Sequence, residues 1–406
     1  MGQARIRSFA DVCAAIGRPD APVVTLFSGG LDSSYLLYRL RAVGLSRVHA
    51  VSVDIGDEET TEDKQKITDE LGVELHVVDG RDQFAQEYLR PAIAAQAMYL
   101  GTHPVSSSLS RPCIAGLAVE VAGKLGARTL LHTANRSQNT LRRLNGAISL
   151  MGFPGSFGSP YDREPVDRAR KTAELRGAGL DAFIRRDVSV DSNLWCREFE
   201  SGALDDPEHH PVPEELYRWT GGEAAASEET VRIAFKAGTP VSIDDRELSL
   251  TDLITELNHR AGAHRIGRFS GLEHLAGGEK VLEVREMPAA HLLMRTARHL
   301  ETAVLEAETI REKMHLEQVW VREALEGRWF GELRVASQNF IESCAERVTG
   351  SVVWKLAAGC ADTCAITAEA PRYIRSREAW ERSSAAQEST PHSAERYDGA
   401  GQGLLP

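Results

Sequence analysis

The sequence predicts an α/β protein: a parallel-sheet domain over residues 1–185, a second domain over 186–375, and a polar tail over 376–406. Three observations carry that reading. Short β-rich runs alternate with helical stretches through the first part, which demands crossover connections and a parallel sheet. The first of these runs leads straight into Ser28-Gly29-Gly30-Leu31-Asp32-Ser33-Ser34, a turn suited to cradling phosphate. Beyond about residue 186 the texture changes to hairpin signals and long helices.

Val23–Phe27 is the first β-rich run. Leu36, Leu37, Leu40 and Val43 then share one helical face, and Gly44 stops the helix. His49–Ile55 reads as a second strand, Thr61–Leu71 as a helix ended by Gly72, and Val73–Asp79 as a third strand. A helical stretch follows to about Tyr99, and another helix begins near Pro112, which suits a first-turn position. Arg128–Ala134 is again a strand, and Gly152–Tyr161 reads as a loop rich in Gly, Pro and Ser. Val231–Phe235 and Pro240–Ile243 flank an Ala-Gly-Thr turn and predict a hairpin. Ser249 and Asp252 resemble a capping box before the helix carrying Ile254 and Leu257. Pro288 to about Leu325 is strongly helical, with the charged residues from Glu306 to Glu323 as a wet face. From Arg375 onward the composition suits a mobile tail or an oligomer arm.

The 406 residues, 42% hydrophobic and 26% charged, suit a globular protein with a large core. A net charge of −12 argues against a nucleic-acid partner, which needs a basic face. No apolar run is long enough for a membrane helix, and no signal peptide is visible. The six scattered cysteines read as reduced thiols of a cytoplasmic protein. Trp195, Trp320, Trp329 and Trp354 read as packing groups, and His209-His210 as solvated.

The 28–34 string makes chemical sense as an anion site. Glycines let a ligand approach the backbone, and free N–H groups at a helix start face negative charge. The serines add donors, and Asp32 is placed to hold Mg²⁺ beside a phosphate. The string lacks the Gly-Lys-Ser/Thr ending of a Walker loop. It resembles instead the pyrophosphate loop of the N-type ATP pyrophosphatases, in which a substrate oxygen attacks the α-phosphate of ATP. A tRNA-thiolating relative would need a basic surface and a cysteine pair in the first domain. An amidotransferase would need a glutaminase domain, for which there is no room before Val23.

Several further stretches narrow the resemblance. Ser107-Ser108-Leu109-Ser110-Arg111-Pro112-Cys113, Ser189-Val190-Asp191-Ser192-Asn193-Leu194-Trp195, Glu198-Phe199-Glu200-Ser201-Gly202, His264-Arg265-Ile266-Gly267-Arg268 and Glu286-Met287-Pro288-Ala289 look like argininosuccinate synthase in order and spacing. That resemblance implies an adenine nucleotide α-hydrolase-like domain followed by an α+β synthetase/multimerisation domain, and a homo-oligomer, a tetramer. It implies ATP and Mg²⁺ as cofactors and two small amino-acid-like substrates, an acceptor that is adenylated and an amine that displaces AMP. The nucleotide site falls on Leu26, Phe27, Ser28, Gly29, Gly30, Asp32, Ser33, Ser34, Val53, Arg111 and Thr133, with Asp32, Ser28 and Arg111 as its catalytic members. Family contacts to citrulline fall on His103, Ser107, Ser108, Arg143, Ser189, Glu198, Glu273 and Arg285, and those to aspartate on Asn135, Asn139 and Thr140.

At some of these positions the residue departs from the family. A tyrosine falls on His103, a serine on Glu198, and another tyrosine on Arg285; a carboxylate falls on Thr140. Two loop glycines have become Arg136 and Gln138. A lost charged hydrogen bond costs roughly 1.5–3 kcal/mol, or about ten- to a hundred-fold in affinity. The expectation is therefore an ATP-dependent, AMP-forming C–N ligase with an altered substrate pair. An ordinary argininosuccinate synthase and a non-catalytic nucleotide-binding relative stand as alternatives. His132, at a strand end, is either a ligand contact or a structural group. His103 is a tempting general base, although adenylation does not obviously need one.

Overall fold

A computed structural model describes residues 4–56, 61–180, 189–200, 202–210 and 212–386. The described residues up to 369 gather into one compact unit, and those from 370 to 386 belong to a second.

The larger unit opens with a six-stranded parallel sheet. Its spatial order is Arg5–Ile6, Ser156–Gly158, Thr129–Leu131, Val23–Leu26, Val48–Asp54, Glu74–Asp79. Every adjacent pair is parallel. The chain lays strands outward on one side of Val23–Leu26, then returns to build on the other side. Such a reversal opens a crevice at the C-terminal strand ends, where α/β sheets bind ligands. The turns after Leu26 and Leu131 border it. Val23, Leu36, Leu37, Leu40, Ala50 and Leu131 form the core beneath, all essentially inaccessible.

Two antiparallel sheets follow. One has the order Arg268–His274, Lys280–Glu286, Arg197–Glu200, Ser189–Ser192. The other includes the expected hairpin, Glu229–Lys236 with Thr239–Ile243, and extends to Gly350–Ala357 and Cys360–Ala368. Ser249 caps the helix Leu250–Ala263, its Oγ accepting from the Asp252 N–H at 3.1 Å. All four tryptophans named above are buried, and the six cysteines are free thiols. No helix among the described residues is long and apolar enough to cross a membrane.

The structure corrects several elements. The helix expected to reach Tyr99 ends at Ala94, where Gln96 turns to a φ of 45° and its amide donates to the Ile93 and Met294 carbonyls. Met98–Tyr99 and His103–Pro104 then form a small hairpin. Pro112 lies inside the helix Ser107–Leu125 rather than in its first turn, so that helix begins five residues earlier and places Ser107 and Ser108 at its N-terminus. Gly152–Tyr161 is not all loop, since Ser156–Gly158 pairs in the parallel sheet. The helical stretch from Pro288 breaks at Leu305 into Pro288–Val304 and Ala307–Leu325. Its charged face is not uniformly wet: Lys313 is fully buried, donating to the Ala94 carbonyl at 2.6 Å and pairing with Glu301 and Glu317 at 2.8 and 2.5 Å. A long cation buried this way satisfies the frayed end of one helix and neutralises two carboxylates on others. In the second unit, Arg377–Ala386 is helical where a tail was expected; residues 387–406 lie outside the described part.

Candidate active site

Val23–Leu26 delivers its last residue to the crevice, and the chain turns at Ser28–Gly30 into the helix Leu31–Ala42. Gly29 has φ +81°, a region that favours glycine, and Gly30 caps the helix with no side-chain acceptor for its first N–H groups. Ser33 and Ser34 are buried, and their hydroxyls donate to the Gly30 carbonyl at 3.0 and 2.9 Å. They therefore brace the turn, while Ser28 stays exposed. This is an uncapped helix start held open by its own side chains, ready for an anion.

Asp32 projects from the first helical turn, and its Oδ1 meets Lys171 Nζ at 2.8 Å. Tyr161 donates its hydroxyl to the Asp32 carbonyl at 3.1 Å. Sequence reasoning did not find Lys171 or Tyr161, because both lie more than a hundred positions away and only the fold brings them to the loop. Leu26 and Phe27 continue the strand, and the Phe27 N–H donates to the Val51 carbonyl at 2.9 Å. Val53 is buried on that neighbouring strand, and Thr133 follows the strand on the other side of the switch point. Arg111 donates to Asp191 at 2.5 Å and approaches Thr140 Oγ1 at 3.4 Å. The charged hydrogen bond to Asp191 joins the synthetase-side sheet to the nucleotide side.

The expected acceptor residues come together as a buried charge network. Arg285 Nε donates to Glu198 at 2.6 Å, and Nη2 meets Glu273 at 3.1 Å and also contacts Glu283. Strand register explains the first pair, because Glu198 lies directly opposite Arg285 in the antiparallel ladder. Arg143 donates to Glu273 at 2.6 Å and to Ser107 Oγ at 2.5 Å. Burial pushes the Glu273 carboxyl up, but the Arg143 and Arg285 guanidiniums outweigh it and hold the carboxyl down to about 2. Asn139 donates its amide to Glu273 Oε1 at 3.2 Å and to the His274 carbonyl at 2.9 Å.

His103 enters where Gly271 leaves space, since a Cβ at Gly271 would lie 2.6 Å from His103 Nδ1. The Thr102 hydroxyl donates to the Tyr99 carbonyl at 2.7 Å, so its contact of 3.0 Å with His103 Nδ1 makes Nδ1 the donor. The His103 Nε2 is then a bare acceptor. Burial, with Arg285 nearby, lowers this imidazole to about 3, which makes it a neutral hydrogen-bond acceptor rather than a proton shuttle near pH 7. Four buried polar atoms here have no partner among the described residues: His103 Nε2, Ser108 Oγ, Asn139 Oδ1 and Arg285 Nη1. Orphaned groups of this kind cost free energy unless a ligand satisfies them. Their chemistry, two acceptors, a hydroxyl and a guanidinium donor, fits an amino-acid-like molecule.

The amine-side loop is folded on itself. The Asn135 carboxamide oxygen accepts from Ser137 N and Oγ at 2.9 and 2.6 Å, and Arg136 pairs with Asp162 at 2.5 Å. A cleft of about 560 Å³ opens here, lined by Asn135, Arg136, Ser137, Tyr161 and Asp162 among others. His132 is structural: Ala134 N donates to its Nδ1 and its Nε2 meets Asn145 Oδ1 at 3.2 Å. Ser189 pairs with Glu200 through its backbone, and its side chain lies outside the described part. Glu200 itself was missed by sequence reasoning. Burial, then Glu198 and Asp191, push its carboxyl up to about 7. Alternation along the strand was the available signal, because residues two apart share a face.

Residues 22–151 match the family described as Arginosuccinate synthase N-terminal HUP domain, and residues 188–390 match Arginosuccinate synthase C-terminal domain. The argininosuccinate synthase of Rubrobacter xylanophilus is 34% identical over 342 residues, 83% of each chain. That of Oceanobacillus iheyensis is 33% identical over 342 residues, 83% of this chain and 82% of its own. The chain belongs to the argininosuccinate synthase family. As an argininosuccinate synthase-like protein it is a ligase that forms C–N bonds, and its HUP domain is the parallel-sheet half described above. A solved NH3-dependent NAD synthetase from Campylobacter jejuni aligns over 40% of this chain and 66% of its own, at 16% identity and a TM-score of 0.28, too remote to bear on the site. Glu198 and Arg285, two of the positions expected to depart from the family pattern, form a buried ion pair.

Proposed function

We propose that this ligase adenylates an oxygen of an amino-acid-like acceptor with ATP and couples the activated carbon to an amine, and that its substrate pair differs from citrulline and aspartate. The acceptor oxygen attacks the α-phosphorus and pyrophosphate leaves; the amine then attacks the activated carbon and AMP leaves. Residues 28–34 would hold the phosphates through their N–H groups, and Arg111 would face the nucleotide. Asp32, a lone carboxylate beside that turn, suits Mg²⁺, which is commonly held by one or two carboxylates together with substrate phosphates. Bound there, the ion would neutralise charge on the leaving pyrophosphate.

One observation supports the altered pair: Arg285 and Glu198 form a buried ion pair at positions where the resemblance leads one to expect uncharged hydroxyl residues. These charges satisfy one another within the protein, and what they offer a ligand is the Arg285 Nη1 donor, which has no partner among the described residues. Catalysis of this step rests on positioning and charge placement, so a changed charge pattern changes the substrate. The second reading, an authentic argininosuccinate synthase, draws on the relatives' names and on Arg143, Ser107, Ser108, Asn139 and Glu273, which match family contacts. The deciding experiment supplies purified protein with ATP, citrulline and aspartate, and measures pyrophosphate and argininosuccinate. Formation of argininosuccinate at an ordinary enzymatic rate establishes the second reading. Its absence, together with pyrophosphate release in a screen of other acceptors and amines, establishes the first.

A further inference from the structure

A second cluster of ligating side chains lies away from the active site. His49 stands on the strand Val48–Asp54, and Glu74 and His76 on the neighbouring edge strand Glu74–Asp79. His49 is in register with Glu74, and Val51 with His76, so the three side chains share one face. They sit toward the N-terminal ends of these strands, whereas the phosphate turn borders the C-terminal ends.

The three ligating groups lie close together. His49 Nδ1 is 3.1 Å from His76 Nε2 and 3.1 Å from Glu74 Oε2, and His76 Nε2 is 3.4 Å from Glu74 Oε1. Metal–ligand bonds of about 2.0–2.1 Å in a tetrahedron put neighbouring ligand atoms roughly 3.3 Å apart. The two ring nitrogens and the Glu74 carboxylate, which faces one ring with each oxygen, are thus spaced closely enough to share one ion, with one ligand atom from each residue within 4.8 Å of the others. Two imidazoles with one carboxylate select zinc-type ions over magnesium or calcium. Glu74 is well exposed and His76 half-buried, which leaves an entry path and a fourth position for water. His49 is buried, and its Nε2 has no partner among the described residues.

We propose that His49, Glu74 and His76 bind a zinc-class divalent ion that clips the sheet's edge strand to its neighbour. Its protein ligands are these three side chains, and it is separate from any metal that accompanies ATP.

The test uses full-length protein stripped of metal, without nucleotide, titrated with Co²⁺ and with Zn²⁺. The site predicts one equivalent of tight Co²⁺, with the intense visible bands of four-coordinate cobalt and no thiolate-to-cobalt band in the ultraviolet. Zn²⁺ displaces the cobalt and raises the melting temperature. His76→Gln, a substitution at a partly exposed position, leaves the metal-free melting temperature and pyrophosphate release unchanged and weakens Co²⁺ binding at least ~10-fold, as loss of a direct ligand requires. Glu74→Gln weakens it in the same direction. Equal affinity in the His76→Gln protein, a thiolate band, or no saturable binding at micromolar Co²⁺ overturns the proposal.

Discussion

Replacing Arg285 by Met tests the charge network directly. The Arg285 side chain is 1% exposed, and Glu198, Glu273 and Glu283, its three carboxylate neighbours, are each under 10% exposed. Glu273 keeps Arg143 as a partner, but the substitution removes the cation that faces Glu198 and Glu283. Breaking a buried pair by deleting one member costs about 3–5 kcal/mol, because a desolvated charge is left behind. For a unit of this size that is a fall in melting temperature of about 5–10 °C. Adding Glu198→Gln and Glu283→Gln to Arg285→Met removes the stranded charges along with their partner, and should recover at least about 2 kcal/mol. Thermal melts of wild type, single and triple variants at pH 7 give the comparison. If Arg285→Met melts with the wild type, or the triple variant is no more stable than the single, these charges are not buried and matched, and the argument for a specialised acceptor pocket fails with them.

Three further predictions rest on other parts of the site. Asp32→Ala should abolish pyrophosphate release while leaving the fold intact by circular dichroism; full activity would show that this carboxylate holds no essential metal. Lys171→Met should raise the KM for ATP roughly ten-fold, the value of a charged hydrogen bond near the phosphates, and a KM within two-fold of wild type would confine Lys171 to pairing with Asp32. Acid should destabilise the fold well above the carboxylate range. Burial lowers His103 to about 3, and His132 and His291 to about 4, whereas Glu200 is pushed up to about 7. Between pH 6.5 and 4.5 the unfolded chain therefore binds protons at these three imidazoles that the folded chain refuses, while Glu200 and Glu301, whose carboxyls burial raises, act in the opposite sense. Stability should fall as pH drops, by roughly 2–3 kcal/mol per pH unit; a melting temperature that stays level from pH 6.5 to 4.5 would refute these assignments.

Local chemistry was legible in the chain itself. The Ser28–Ser34 turn, the helix Thr61–Leu71 and the 229–243 hairpin each depend on neighbours within a few residues, so periodicity, glycine and serine sufficed to read them. The strand hidden at Ser156–Gly158 was not legible, because three residues among glycines and prolines become a strand only when Thr129–Leu131 offers a partner. Lys313 was misread for a related reason: its own helix looks polar, and only packing against Ala94 and Glu301 takes it out of water.

The sequence by itself determined the parallel sheet and the Gly-Gly helix start beside it, because strand–helix alternation and the Ser28–Ser34 turn are written contiguously, while the ligase family was legible only through the resemblance of longer motifs. What the site demands of its substrates was decided by tertiary structure. Glu198 meets Arg285 across 87 positions and Lys171 meets Asp32 across 139, and neither distance has any local signal. Cross-strand register and helix packing set those pairs, and burial then makes each charge costly enough to govern what can bind beside it.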